Sequence, residues 1–112
     1  IEQLFTPSET RPNYIFQTFL YASIMCRQQT LKVAPALLYI HRAASDSYSP
    51  VIEMGEPRQP KIPVNNFTFF EDEFRKRLQT LLEEIFSENE PFTQTEDIKK
   101  CSYCDFKAIC KR

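Results

Sequence analysis

Apolar residues recur at helical intervals along two stretches of the chain. Residues 14–29 contain no proline or glycine, and Phe16, Phe19, Leu20, Ser23, Ile24 and Arg27 follow one another along one face. A second apolar edge runs through Ile15, Ala22, Met25 and Cys26. This pattern predicts a helix buried on more than one side. Further on, Phe70, Phe74, Leu78, Leu81, Leu82, Ile85 and Phe86 keep spacings of 4, 4, 3, 1, 3 and 1. They predict an amphipathic helix over 68–88 with a single core-facing stripe. Thr68 followed by Glu71 reads as a capping box at its start, and Pro91 lies past its end.

The segments around these helices read differently. Residues 1–13 are a lead-in loop, broken by Pro7 and Pro12. The run "VAPALLYIHR" at 33–42 is short, apolar and partly β-branched or aromatic, which predicts a buried strand over 35–43. "ASDSYS" at 44–49 is turn-like, and "PVIEM" at 50–54 predicts a returning strand, with Pro50 confined to its start or edge. Residues 35–54 are thus expected to form an antiparallel hairpin. Gly55, Pro57, Pro60 and Pro63 predict a long loop or extended crossing over 55–66. Thr95 is the expected N-cap of a short turn carrying Glu96 and Asp97, and a cysteine-rich tail at 95–112 closes the chain. The fold class is α+β, in the order helix, hairpin, helix, tail. A lone two-stranded hairpin is marginal, so the expectation is one side of a larger sheet, α/β in an intact parent.

Composition narrows the function classes. At 112 residues the chain is one domain or part of one, and 42% apolar residues with ten Phe mark it as a folding sequence. A formal net charge of −1 is not that of a dedicated nucleic-acid binder. Acids crowd 83–97, and Lys99, Lys100, Lys107, Lys111 and Arg112 follow them. These read as two solvated faces, with a phosphate-contacting end as the second reading. No apolar run approaches the roughly 20 residues that span a bilayer, so no membrane is expected. Ile1 opens into polar sequence without a secretory pattern, and the expectation is a reducing, cytoplasmic setting.

"CSYCDFKAIC" at 101–110 holds three of the four cysteines at C-x2-C-x5-C spacing. Structural zinc prefers two separated ligand pairs. Cubane iron–sulfur clusters take four thiolates, often three close and one distant. The tail therefore reads as three cluster ligands, as part of a zinc site, or as unmetallated thiols packing beside Phe106 and Ile109. A fourth ligand would be Cys26, His41 or a group outside the chain. Cys26 in a buried helix is an ordinary small hydrophobe, and a lone histidine such as His41 is more often structural. In "QTFLY", Gln17 and Tyr21 lie four apart and share one helix face, where an amide and a phenol can hold a phosphate oxygen or a carboxylate. Gly55 is the only glycine, so no glycine-rich phosphate loop exists. Glu83 and Glu84 read as solvent-facing.

Taken in order, the Q-x3-Y helix, the hairpin, the amphipathic helix and "PFTQTEDIKKCSYCDFKAIC" resemble the C-terminal half of the PD-(D/E)XK nuclease superfamily. The similarity is to its RecB-like branch, which includes the AddB helicase–nuclease and CRISPR-associated exonucleases. It covers about residues 10–112. The resemblance implies a partial restriction-endonuclease-like fold and a metal-dependent DNA exonuclease of repair or recombination. Gln17 and Tyr21 would be supporting residues at the rim of a site using Mg2+ or Mn2+. Cys101, Cys104 and Cys110 would hold a [4Fe–4S] cluster with one upstream cysteine. The D/E-x-K carboxylates and lysine would precede Ile1, so the expectation is a fragment without its own catalytic acids, inactive alone and without a complete cluster. DNA and a helicase subunit or domain are the implied partners, and self-association through an open sheet edge is expected. The alternative is a zinc-stabilised protein-interaction module without enzyme activity.

Overall fold

The computed structural model describes residues 1–8, 11–28, 32–56 and 58–111. The chain divides into two compact units, Ile1–Leu81 and Leu82–Arg112. The class is mixed α+β, with four α-helices and a two-stranded antiparallel sheet among the described residues.

The first unit is organised around α2, Asn13–Gln28. Its breaker-free sequence forms the expected helix, and the Pro12 carbonyl accepts the first helical bond from Phe16 N–H at 3.1 Å. Gln29 lies outside the described residues. The lead-in is not wholly loop. Glu2–Phe5 make a one-turn helix, α1, because Leu4 has a core to enter and is buried there.

The sheet is where the strand expectations change. β1, Glu53–Met54, pairs with β2, Ile62–Pro63, in the register Glu53↔Pro63 and Met54↔Ile62. β1 thus falls within the expected returning strand at 50–54, but its partner β2 lies in the stretch expected as a long loop. Its connection passes through Arg58 at φ 69° and Gly55, where an added Cβ would come within 3.2 Å of Lys61 Cα. The expected hairpin over 35–54 is reduced to one antiparallel bridge, Ala36↔Val51, supported by Leu37 N–H donating to the Pro50 carbonyl at 2.8 Å. The physical reason is the Tyr48 phenol. It donates to the Leu37 carbonyl at 2.6 Å and accepts from Tyr39 N–H at 2.7 Å. Those are the backbone groups a strand would use. Proline at 35 and 50 removes two more donors, and Ile40–Arg42 coil into a 3-10 turn.

α3 spans Thr68–Ile85, three residues short of the expected end. The capping box does not form. Asn66 Oδ1 accepts from both Thr68 N–H, at 3.2 Å, and Thr68 Oγ1, at 2.8 Å. Asn66 is therefore the capping side chain, and Glu71 Oε1 is buried without a hydrogen-bond partner. The apolar stripe is core only in its first half. Phe74 is fully buried and Leu78 and Leu81 are half-buried, whereas Leu82, Ile85 and Phe86 are exposed.

The core of this unit is aromatic. Phe74 lies with ring centroids 5.5, 5.7, 6.0 and 5.9 Å from Phe5, Phe16, Phe19 and Phe67. Ile52 and Val64 close it from the side of the sheet. Phe19, Phe67 and Phe74 are fully buried, and each contributes about 1.5–3 kcal/mol by burial.

The second unit is small and largely turns. Asp97 caps α4, Ile98–Ser102, by accepting from Lys99 N–H at 3.2 Å. Thr95 was the expected cap; instead its Oγ1 accepts from Asp97 N–H at 3.2 Å, one step earlier. Successive turns then carry the chain through Cys104 to Lys111, and Gln94 Nε2 donates to the Cys110 carbonyl at 3.2 Å.

Candidate functional site

α2 sorts its residues by face. Phe19, Ala22 and Ser23 point into the core. Gln17 and Tyr21, one turn apart, stand exposed on another side. Gln17 Nε2 donates to Tyr21 Oη at 2.9 Å. The pair is rigidly based, because its helix is anchored by fully buried Phe19. Among the described residues the Gln17 carbonyl and the Tyr21 hydroxyl proton make no other hydrogen bond. One acceptor and one donor are thus presented to solvent a few ångströms apart, a set that suits a phosphate oxygen or an ordered water.

The pair has neighbours that sequence reasoning did not single out. Tyr14, three residues before Gln17 and on the same face, is exposed and meets Tyr39 edge-on at 6.4 Å. Tyr39 in turn meets His41 at 5.9 Å and carries the Arg42 guanidinium 5.5 Å above its ring. Tyr14 was legible from its spacing. Tyr39, His41 and Arg42 were not, since no local pattern in 35–43 points to a contact with Tyr14, and a strand there would have put Arg42 on the face opposite Tyr39 and His41. His41, one candidate fourth ligand, is exposed beside Tyr39 and, among the described residues, joins no cluster of metal ligands.

Cys26, the other candidate, is half-buried on α2. Burial, and then the Glu71 carboxylate, push its thiol pKa above the ordinary value. Both effects disfavour the thiolate that a metal requires. In the second unit Cys101, Cys104 and Cys110 are free thiols of intermediate exposure. The Cys101 Sγ lies 3.8 Å from the Asp97 carbonyl oxygen, the acceptor of an ordinary helical back-bond. Among the described residues no three His, Cys, Asp or Glu side chains converge closely enough to hold a metal. The tail thiols as arranged therefore fit neither a four-thiolate cluster nor a zinc site, and the acids gather no Mg2+ site. Among the described residues no helix is long and apolar enough to cross a membrane.

The family model described as the PD-(D/E)XK nuclease superfamily matches residues 4–111. No curated protein and no solved structure matches the chain.

Proposed function

The chain belongs to the PD-(D/E)XK nuclease superfamily, and from that premise we propose that it is the C-terminal, supporting part of a RecB-like DNA exonuclease domain. The observation that carries this reading is the hydrogen-bonded Gln17–Tyr21 pair on the open face of α2. It matches the Q-x3-Y element of that branch in residue type and spacing.

Nucleases of this superfamily generally use Mg2+ or Mn2+. Such an ion supplies a nucleophilic hydroxide and offsets charge on the phosphate. The described residues assemble no ligand set for it, and in this reading the metal-binding carboxylates come from another part of the domain. The role of this chain is positioning. Tyr21 O–H donates to a phosphate oxygen of the strand being cut. Gln17 fixes the phenol through its amide N–H and keeps its carbonyl oxygen for a water or a catalytic-side donor. Repair or recombination, alongside a helicase subunit or domain, is the setting in which such a domain acts. Both strands of the β1–β2 ladder are edges, and that is where further strands of a nuclease sheet, or a second copy, would add.

The test is metal-dependent digestion of linear DNA. The isolated chain is expected to show no cleavage with Mg2+ or Mn2+. An intact enzyme containing it is expected to lose about 10- to 100-fold in rate on Gln17→Ala or Tyr21→Phe, the equivalent of roughly 1.4–2.7 kcal/mol of barrier. Robust cleavage by the isolated chain that survives both substitutions would overturn the assignment.

A further inference from the structure

Charge along the chain is markedly uneven. Residues 10–45 contain Arg11, Arg27, Lys32 and Arg42 and not one Asp or Glu. The rest of the chain carries ten Lys and Arg against fifteen Asp and Glu. The near-zero total conceals a cationic segment inside an acidic protein. The contrast persists in space. On α3, Arg75 pairs with Glu71 and Asp72, and Arg77 with Glu73. Among the described residues none of the four cations of 10–45 has a carboxylate partner.

The same segment displays aromatic rings in a row. Tyr14 is 65% exposed and Tyr21 57% exposed. Tyr39, His41 and Arg42 continue the row from Tyr14 through contacts of 6.4, 5.9 and 5.5 Å. The row is held in place, because the Tyr48 phenol ties down the backbone at both Leu37 and Tyr39. An anion alone would need no rings. A protein partner would instead use Leu38 and Ile40, which are also exposed on this segment, and it is the outcome in which the chain binds no DNA. Exposed rings beside a cation that no carboxylate pairs, as Tyr14 and His41 stand with Arg42 around half-buried Tyr39, are a surface that single-stranded nucleic acid uses, with bases stacking and phosphates meeting the charge. A duplex hides its base faces and gains only the charges.

We propose that Tyr14, Tyr39, His41 and Arg42 form a docking track for single-stranded DNA that delivers the strand to the Gln17–Tyr21 pair. This rests on the nuclease reading and adds to it the strand preference and the path of approach. Tyr14 and His41 offer ring faces to bases, and Arg42 meets a phosphate while its guanidinium lies over Tyr39.

The experiment is fluorescence anisotropy of the 112-residue chain with a labelled fifteen-nucleotide oligo-dT and with a duplex of the same length, across a series of NaCl concentrations. Tighter binding of the single strand is expected. Tyr14→Leu is expected to weaken it by about fivefold or more, the value of one lost stacking contact, and Tyr14→Phe to retain it. Arg42→Gln is expected to lower the slope of log affinity against log salt by about 0.7, one phosphate contact on a single strand. Arg42→Lys keeps that slope, and Lys76→Gln on α3 leaves the affinity unchanged. Thermal melts of each variant separate folding from binding. Unchanged affinity in Tyr14→Leu and Arg42→Gln, equal or tighter binding of the duplex, or no binding by the unmodified chain would each overturn the track. The nuclease reading fails by a different sign, namely cleavage by the intact enzyme that is indifferent to Gln17→Ala and Tyr21→Phe.

Discussion

Gln17 and Tyr21 are joined side chain to side chain, with the amide nitrogen donating to the phenol oxygen at 2.9 Å across one turn of α2. The bond is exposed, so water competes for both partners and its net contribution to folding is small. Tyr21→Phe is expected to change unfolding free energy by no more than about 0.5 kcal/mol. Equilibrium urea denaturation checks this. A larger loss would mean that the pair is a structural brace, and the positioning role would need another carrier.

Phe74 makes the opposite case. It is fully buried and touches four other phenylalanines. Phe74→Ala is expected to cost about 3–5 kcal/mol. Leu78→Ala, at a half-buried site, should cost less, and Ile85→Ala, 42% exposed, less again. Denaturation midpoints in that order would confirm that the stripe of α3 is core in its first half only.

Tyr48→Phe removes a hydroxyl that serves two backbone groups, Leu37 C=O and Tyr39 N–H. With both left without it in a part-buried setting, a cost of about 1–3 kcal/mol is expected. Because the same hydroxyl holds the Tyr39 turn, amide exchange at residues 37–42 should accelerate more than at α2. Uniform acceleration would indicate simple global destabilisation.

Asn66→Ala is expected to cost about 1 kcal/mol by removing the cap of α3, whereas Glu71→Gln should not disturb the helix start. Amide exchange at Thr68 reads the difference. Equal effects of the two substitutions would restore the capping-box arrangement.

Burial and Glu71 raise the Cys26 pKa. In a Cys101→Ser, Cys104→Ser, Cys110→Ser background, Cys26 should react with iodoacetamide more slowly than a free thiol at neutral pH, and at the ordinary rate once unfolded. The linkage follows the same direction. The folded state binds the thiol proton more tightly, so this contribution is complete below the unfolded pKa and is lost as pH rises through the folded one. Stability should therefore fall in the alkaline range less steeply in Cys26→Ala. Faster alkylation of the folded protein would contradict both statements.

Periodicity in the chain was enough to determine the start of α2 to within a residue, its run to Gln28, and the start and type of α3, because a run without breakers and a 3.6-residue repeat leave few other conformations. It also placed Gln17 and Tyr21 on one face, since i and i+4 spacing is a property of the helix itself. The strands were decided elsewhere. Whether residues 35–43 extend into a ladder depended on Tyr48, a side chain nine residues away from Tyr39 that takes the hydrogen bonds a neighbouring strand would have needed. Which half of the α3 stripe is core depended on where Phe5, Phe16, Phe19 and Phe67 come together, and no spacing within α3 encodes that. The grouping of Tyr14 with Tyr39, His41 and Arg42 joins a helix to a turn across more than twenty residues of chain. Local pattern has no term for such a contact; it exists only once the core has fixed both elements.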